Sequence, residues 1–215
     1  MGGRGARIGE ESRIRTGVVT AAAQAQETYL SFSGESSMST GIHAFFNSHE
    51  DNWSALPASH RNTVRVYTGG QYTDINYAAR QLTNGQIPSS ATNFNRVKRL
   101  DKAFENPASR LKENTMLYRG MYLNTNDYNN LAVGSTFLEK GFVSTSVRSG
   151  FGGNIELVIR AKKGARAIAV GPHSNYPTEN EVMLPRATRY RITKIDEVPE
   201  NYGTGTKKKV YVDLL

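Results

Sequence analysis

Apolar residues recur at three- and four-residue intervals through the first half of the chain. In "YTDINYAARQL", Tyr72, Ile75, Ala79 and Leu82 keep that spacing, which predicts a one-sided helix. "FNRVKRLDKAF" repeats it with Phe94, Val97, Leu100 and Phe104, and Pro107 ends the pattern. Upstream, the Ala- and Gln-rich stretch from Thr16 to Phe32 favours helix by composition. "SGESSMSTG", residues 33–41, reads as a loop. "IHAFFNSHEDNWSAL" places Phe45, Phe46, Trp53 and Leu56 in a core helix. Pro57 starts a new turn, and "ASHRNTVRVYTGG" is expected to be a helix closed by Gly69 and Gly70.

The second half changes period. "IELVIRA" alternates Ile155, Leu157 and Ile159 against Glu156, Val158 and Arg160, the two-residue period of a strand. "MLYRG", "GFVSTS", "ARAIAV", "EVML", "YRITKID" and "VYVDLL" are further short apolar or alternating runs, punctuated by Gly, Pro and Asn. Between the last two, "VPENYGTGTKKK" reads as a long basic hairpin loop. No internal repeat is visible. Helices first and strands afterwards predict an α+β domain, with helices packed on one side of a mainly antiparallel sheet core. Residues 1–15, rich in Gly and Arg, are expected to be a disordered tail. Residues 16–215 form the expected single domain, helical to about 115 and β-rich over 116–215.

The net charge of +8 and pI near 9.7 favour acidic partners: nucleic acid, an anionic protein surface or a phosphorylated small molecule. A generally basic, solvated surface accounts for the same totals equally well. The chain has no cysteine, which excludes disulfides and thiolate metal sites. Its four histidines, His43, His49, His60 and His173, are scattered without metal-ligand spacing, so no metal is expected. No apolar run approaches a membrane span, and "MGGRGARIGEESRIRTG" lacks the apolar centre of a signal peptide. The expected location is cytoplasmic, or outside the cell by a route not written in the sequence. A monomer is the expected state.

Three features of the strand half are candidates for one site. Arg119 ends "MLYRG". A guanidinium offers a planar fork of donors to phosphate, and the glycine after it lets a ligand approach the backbone. Taken alone, a surface Arg before a turn is the better reading. Ser144, Thr145 and Ser146 follow Phe142 and Val143, and successive hydroxyls can orient a carboxylate. Glu179 and Glu181 stand two apart at the mouth of an apolar strand in "NYPTENEVMLPR". In extended chain such residues share one face. The ordinary alternative is a pair of solvated glutamates.

An Arg, a Ser-Thr-Ser strand and a Glu-x-Glu strand, in that order, resemble the mono-ADP-ribosyltransferases of the Arg-Ser-Glu class. "YTGGQYTDIN" resembles the helical segment those enzymes carry upstream of the arginine, "GSTFLEKGFVSTS" their approach to the serine strand, and "ENEVMLPRATRYRITKID" their closing strands. The likeness runs from about Tyr67 to Leu215. Its relatives include bacterial binary toxins and the bacteriophage transferases that modify host proteins. It implies an ADP-ribosyltransferase-like fold, with N-terminal helices packed on a mainly antiparallel two-sheet β core. It also implies NAD as co-substrate and an arginine of a target protein as acceptor, with host transcription or translation components among the candidate targets.

By that likeness, Glu181 stabilises the positive charge that develops on the ribose as nicotinamide leaves, and Ser144 orients it. Glu179 positions the acceptor guanidinium and helps remove its proton, since a guanidinium with a pKa above ~12 is a poor nucleophile. Tyr176 packs against that guanidinium. Arg119 grips phosphate, Gly120 offers backbone groups to the nicotinamide amide, and Phe151 stacks on its ring. Thr145 also belongs to the implied NAD site. One departure is "FGGNIE" after Phe151, which has no cation until Arg160. Phosphate contacts therefore fall to Arg119 and Arg80. Tyr67 reads as structural; for Tyr72, structural support and lining the adenosine side both stay open. The competing readings are the same NAD chemistry with water, RNA or DNA as acceptor, and a non-enzymatic basic module that binds nucleic acid.

Overall fold

The computed structural model describes residues 27–199 and 205–215. The expected tail and the start of the expected Thr16–Phe32 helix lie outside them. Residues 27–32 are not helical. Leu30 N donates to Asn114 O and Leu30 O accepts from Met116 N, so the chain runs beside Thr115 and seats Phe32 in the core. Sheet pairing and apolar burial override the weak helical propensity of this stretch.

Helices α1 (Thr40–Ser48), α2 (Glu50–Ser54), α3 (Ala58–Val66), α4 (Tyr72–Thr83) and α5 (Ala91–Glu105) follow. Ser39 and Ser90 cap α1 and α5, accepting from Ile42 N and Asn93 N, each at 3.2 Å. Helix α5 buries Val97, Leu100, Ala103 and Phe104, close to the face its spacing predicts. The helical backbone that starts at Ala58 breaks at Gly69 as expected: Gly69 is non-helical (φ −98°, ψ −155°), and the chain kinks there directly into α4.

The strands are β1 (Thr115–Met121), β2 (Thr136–Glu139), β3 (Val143–Ser146), β4 (Ile155–Ala161), β5 (Ile168–Ala169), β6 (Glu181–Leu184), β7 (Thr188–Pro199) and β8 (Thr206–Leu214); α6 (Thr125–Asn129) lies between β1 and β2. They form one eight-stranded sheet in the order β2-β7-β8-β4-β1-β3-β6-β5. All pairs are antiparallel except β4 with β8. The two expected sheets are thus joined, and the joint is narrow: β1 meets β3 through the single register pair Tyr118↔Ser146. Lys207, Lys208 and Lys209 were expected in a loop but belong to β8. There Lys209 meets Glu156 at 3.6 Å and Lys208 donates to Tyr128 O.

Two apolar clusters flank the β3-β6-β5 end. One holds α1, with Val143, Val182 and Leu184; the other holds α3, α4 and α5, with Phe142, Ile168 and Met183. Every residue of β6 is therefore buried, which explains why "EVML" lacks the alternation of a half-exposed strand. The site forms where this doubly covered end meets β1.

Candidate active site

A cavity of about 280 Å³ opens between the helices and the narrow β1–β3 joint. The helical side supplies Tyr67, Tyr72, Thr73, Asn76 and Arg80; the sheet side supplies Tyr118, Arg119, Gly120, Ser144, Thr145 and Phe151. Seven of the residues singled out from the sequence meet here: Tyr72, Arg80, Arg119, Gly120, Ser144, Thr145 and Phe151.

Asn76 and Tyr67 fasten α4 to the start of β3. Asn76 Oδ1 accepts from Phe142 N at 2.8 Å, Asn76 Nδ2 donates to Tyr67 Oη at 3.0 Å, and Tyr67 Oη donates to Phe142 O at 3.0 Å. Tyr67 is fully buried in this network, and burial raises its phenol pKa. Its role is structural. Tyr72 stands 56% exposed at the rim of the cavity.

Register sets the central contact. Ser144 lies opposite Met183, and Ser146 opposite Glu181, so Ser144 and Glu181 are diagonal neighbours on one face. Ser144 Oγ donates to Glu181 Oε1 at 2.6 Å. Of the three hydroxyls expected to orient a carboxylate, only this one does. Thr145 Oγ1 donates to Val182 O, and Ser146 Oγ accepts from Arg148 N at 3.1 Å. Thr145 thus lines the cavity while its hydroxyl is committed to the sheet. A second hydroxyl comes from Ser174, which donates to Glu181 Oε2 at 3.3 Å. Ser174 sits in a loop without a period, and its sequence context carries no signal that would single it out.

Glu181 is 3% exposed. Burial pushes its carboxyl pKa up to about 7; the Ser144 hydrogen bond opposes the shift, the charge of Glu179 adds to it, and the Ser174 bond opposes it again. The pKa of Glu179 is also raised by burial. The two glutamates do not share a strand face as expected. Glu179 ends a 3₁₀ turn, Pro177–Glu179, and Asn180 is left-handed (φ 52°, ψ 50°), so the chain turns between them. Glu181 is not itself in the cavity wall and is tied to it through Ser144; Glu179 and Tyr176 stand on the loop that precedes β6, also outside the wall, with Tyr176 54% exposed.

Arg119 Nη1 donates to Ser144 O at 3.0 Å. Its Nε is buried and has no hydrogen-bond partner among the described residues. Arg119 lines the cavity, so a planar fork of guanidinium donors is available to an anionic group there. Arg80 Nη2 lies 3.5 Å from Glu139 Oε1 on the half-exposed cavity rim. Arg160 pairs with Asp213 instead. Gly120 is packed beneath the loop that carries Phe151: a Cβ on it would lie 2.1 Å from Gly152 O and 2.3 Å from Phe151 O. Phe151 itself projects 54% exposed at the rim.

This sheet, with its helical cover and a buried carboxylate held by a serine of the neighbouring strand, has the fold of the ADP-ribosyltransferase toxins. It matches the C3 exoenzyme of Clostridium limosum with a TM-score of 0.68 at 22% identity, over 88% of this chain and 98% of that one. It matches the toxin Plx2a of Paenibacillus larvae with a TM-score of 0.69 at 23% identity, over 80% and 94%. The family model for the ADP-ribosyltransferase exoenzymes matches residues 43–215, and the chain belongs to that family. A curated relative, the NAD(+)–protein-arginine ADP-ribosyltransferase Tre1 of Serratia proteamaculans, is 29% identical over 97 residues. That match covers 45% of this chain and 20% of Tre1, so the chain spans about a fifth of that relative. Among the described residues no helix is long and apolar enough to cross a membrane.

Proposed function

We propose that the chain transfers ADP-ribose from NAD to arginine side chains of target proteins, releasing nicotinamide. The observation that carries this reading is the buried Glu181 carboxylate, held at 2.6 Å by Ser144, which lines the cavity together with Arg119. The arginine specificity in the name of Tre1 supports the same acceptor here.

In this reading NAD is the substrate and supplies a bond between ribose and nicotinamide whose cleavage leaves positive charge on the sugar. The Arg119 and Arg80 guanidiniums hold the diphosphate. Phe151 covers the nicotinamide ring, and the Gly120 backbone faces its amide. Ser144 and Ser174 fix the two oxygens of Glu181, so the carboxylate meets the developing positive charge without reorganising. That charge also offsets the burial and the Glu179 repulsion that disfavour ionised Glu181 in the free protein. Glu179 pairs with the acceptor guanidinium, orients one nitrogen and takes its proton as the new bond to the ribose carbon forms. Tyr176 packs on the guanidinium plane.

The acceptor class is a surface arginine of a host protein, with transcription and translation components the first to assay. Incubation with labelled NAD and a bacterial lysate, followed by mass spectrometry of the labelled peptides, tests the assignment. ADP-ribose on arginine is the expected product. Label confined to RNA or DNA, or free ADP-ribose alone, would replace this reading with the nucleic-acid or glycohydrolase alternative.

A further inference from the structure

The loop from Gly171 to Asn180 is fastened to the helical layer at two points that the reaction itself does not require. At the first, the His173 ring stacks on Trp53 of α2, with centroids 4.5 Å apart and planes 5° from parallel. His173 Nε2 lies 2.7 Å from Glu50 Oε2, also on α2, an arrangement in which the ring N–H donates to the carboxylate. The Arg65 guanidinium also lies over the Trp53 ring, 5.6 Å from its centroid. At the second, Asn175 N donates to Thr68 Oγ1 at 3.2 Å and Asn175 Nδ2 donates to Arg65 O. The missing side chain at Gly69 leaves room for this: a Cβ there would lie 3.0 Å from Asn175 Nδ2.

Between the two anchors sits Ser174, which reaches Glu181. Beyond them come Tyr176 and Glu179. We propose that His173 and Asn175 are positioning residues, a two-point clamp that fixes the acceptor-facing loop and couples NAD cleavage to transfer. The proposal rests on the roles given above to Glu179 and Glu181. The asymmetry follows from what each carboxylate is mounted on. Glu181 is on a strand and keeps Ser144 when the loop loosens, so nicotinamide release loses only the longer Ser174 bond. Glu179 and Tyr176 have only the loop, and a displacement of about 1 Å at a reacting group costs on the order of a hundred-fold.

The test compares wild type with His173→Ala, His173→Phe and Asn175→Ala. Three quantities are read: amide exchange over residues 174–180, nicotinamide release from NAD, and transfer to agmatine as a small guanidine acceptor. Trp53 is the single tryptophan, so its emission reports the stack directly. His173→Ala and Asn175→Ala are expected to raise exchange across the loop. Each should lower transfer about ten- to a hundred-fold while nicotinamide release falls severalfold at most. His173→Phe keeps the stacking surface and should restore most of the transfer-to-hydrolysis ratio. Unchanged exchange, or an unchanged ratio in both Ala variants, would overturn the clamp. Exchange and emission are measured without NAD, so they judge the clamp even if Glu181→Gln proves active and the catalytic assignment falls.

Discussion

At the scale of single residues, Glu181 is the group on which the proposed reaction depends. Its carboxyl is shifted up to about 7, chiefly by burial, so much of the free protein carries it protonated at neutral pH. The proposed mechanism needs the carboxylate. The plot of kcat/KM for NAD against pH should therefore rise with unit slope toward about 7 and then level, since kcat/KM reports ionisations of the free enzyme. Stability should run the other way. The folded pKa lies above the unfolded value of 4.5, so this group's contribution is fully present below 4.5 and is lost as pH rises through about 7. Glu181→Gln, which carries no charge to bury, should melt higher than wild type at pH 8, by up to about 3 kcal/mol. The gap should close toward pH 4, which thermal melts at the two pH values would show. That Arg119, Ser144 and Glu181 lie together was legible, because their order and residue types are unusual together. Ser174 was not, because a loop serine seven residues from its partner follows no period.

At the scale of elements, the two-residue period misled where the chain stops being strand. "ENE" suggests one face only if Asn180 is extended, and its left-handed backbone is decided by the turn into β6. The glycine pair, a local signal that needs no period, held: helical backbone breaks at Gly69 and α4 starts at Tyr72. The short Phe151 loop is held by close backbone approach, since Gly120, Gly150 and Gly153 each leave no room for a Cβ against a neighbouring main chain. Gly120→Ala should therefore push the loop off β1. We expect a loss of about 1–3 kcal/mol in thermal unfolding. The affinity for NAD should weaken by about tenfold or more, because Phe151 moves with the loop; calorimetric titration of the folded variant measures it.

At the scale of the whole molecule, the helical first half and β-rich second half were legible from periodicity alone. Which strands neighbour which was not, because it depends on contacts far apart in sequence, such as β4 running parallel to β8. The basic total was legible too, yet it does not locate the site: the cavity draws on two arginines, Arg80 and Arg119, while Arg186 is tied to Asp101 and Arg160 to Asp213. What the fold accomplishes is to bring a strand arginine, a strand serine and a doubly covered glutamate together at one narrow joint of the sheet. The most direct test is a single-turnover experiment with labelled NAD and agmatine, comparing wild type, Glu181→Gln and Glu179→Gln for nicotinamide release and ADP-ribosyl transfer. Glu181→Gln should slow both on the order of a hundred- to a thousand-fold, and Glu179→Gln should spare most of the release while removing transfer. A Glu181→Gln variant that releases nicotinamide within a fewfold of wild type, with its fold intact, would contradict the role proposed for Glu181.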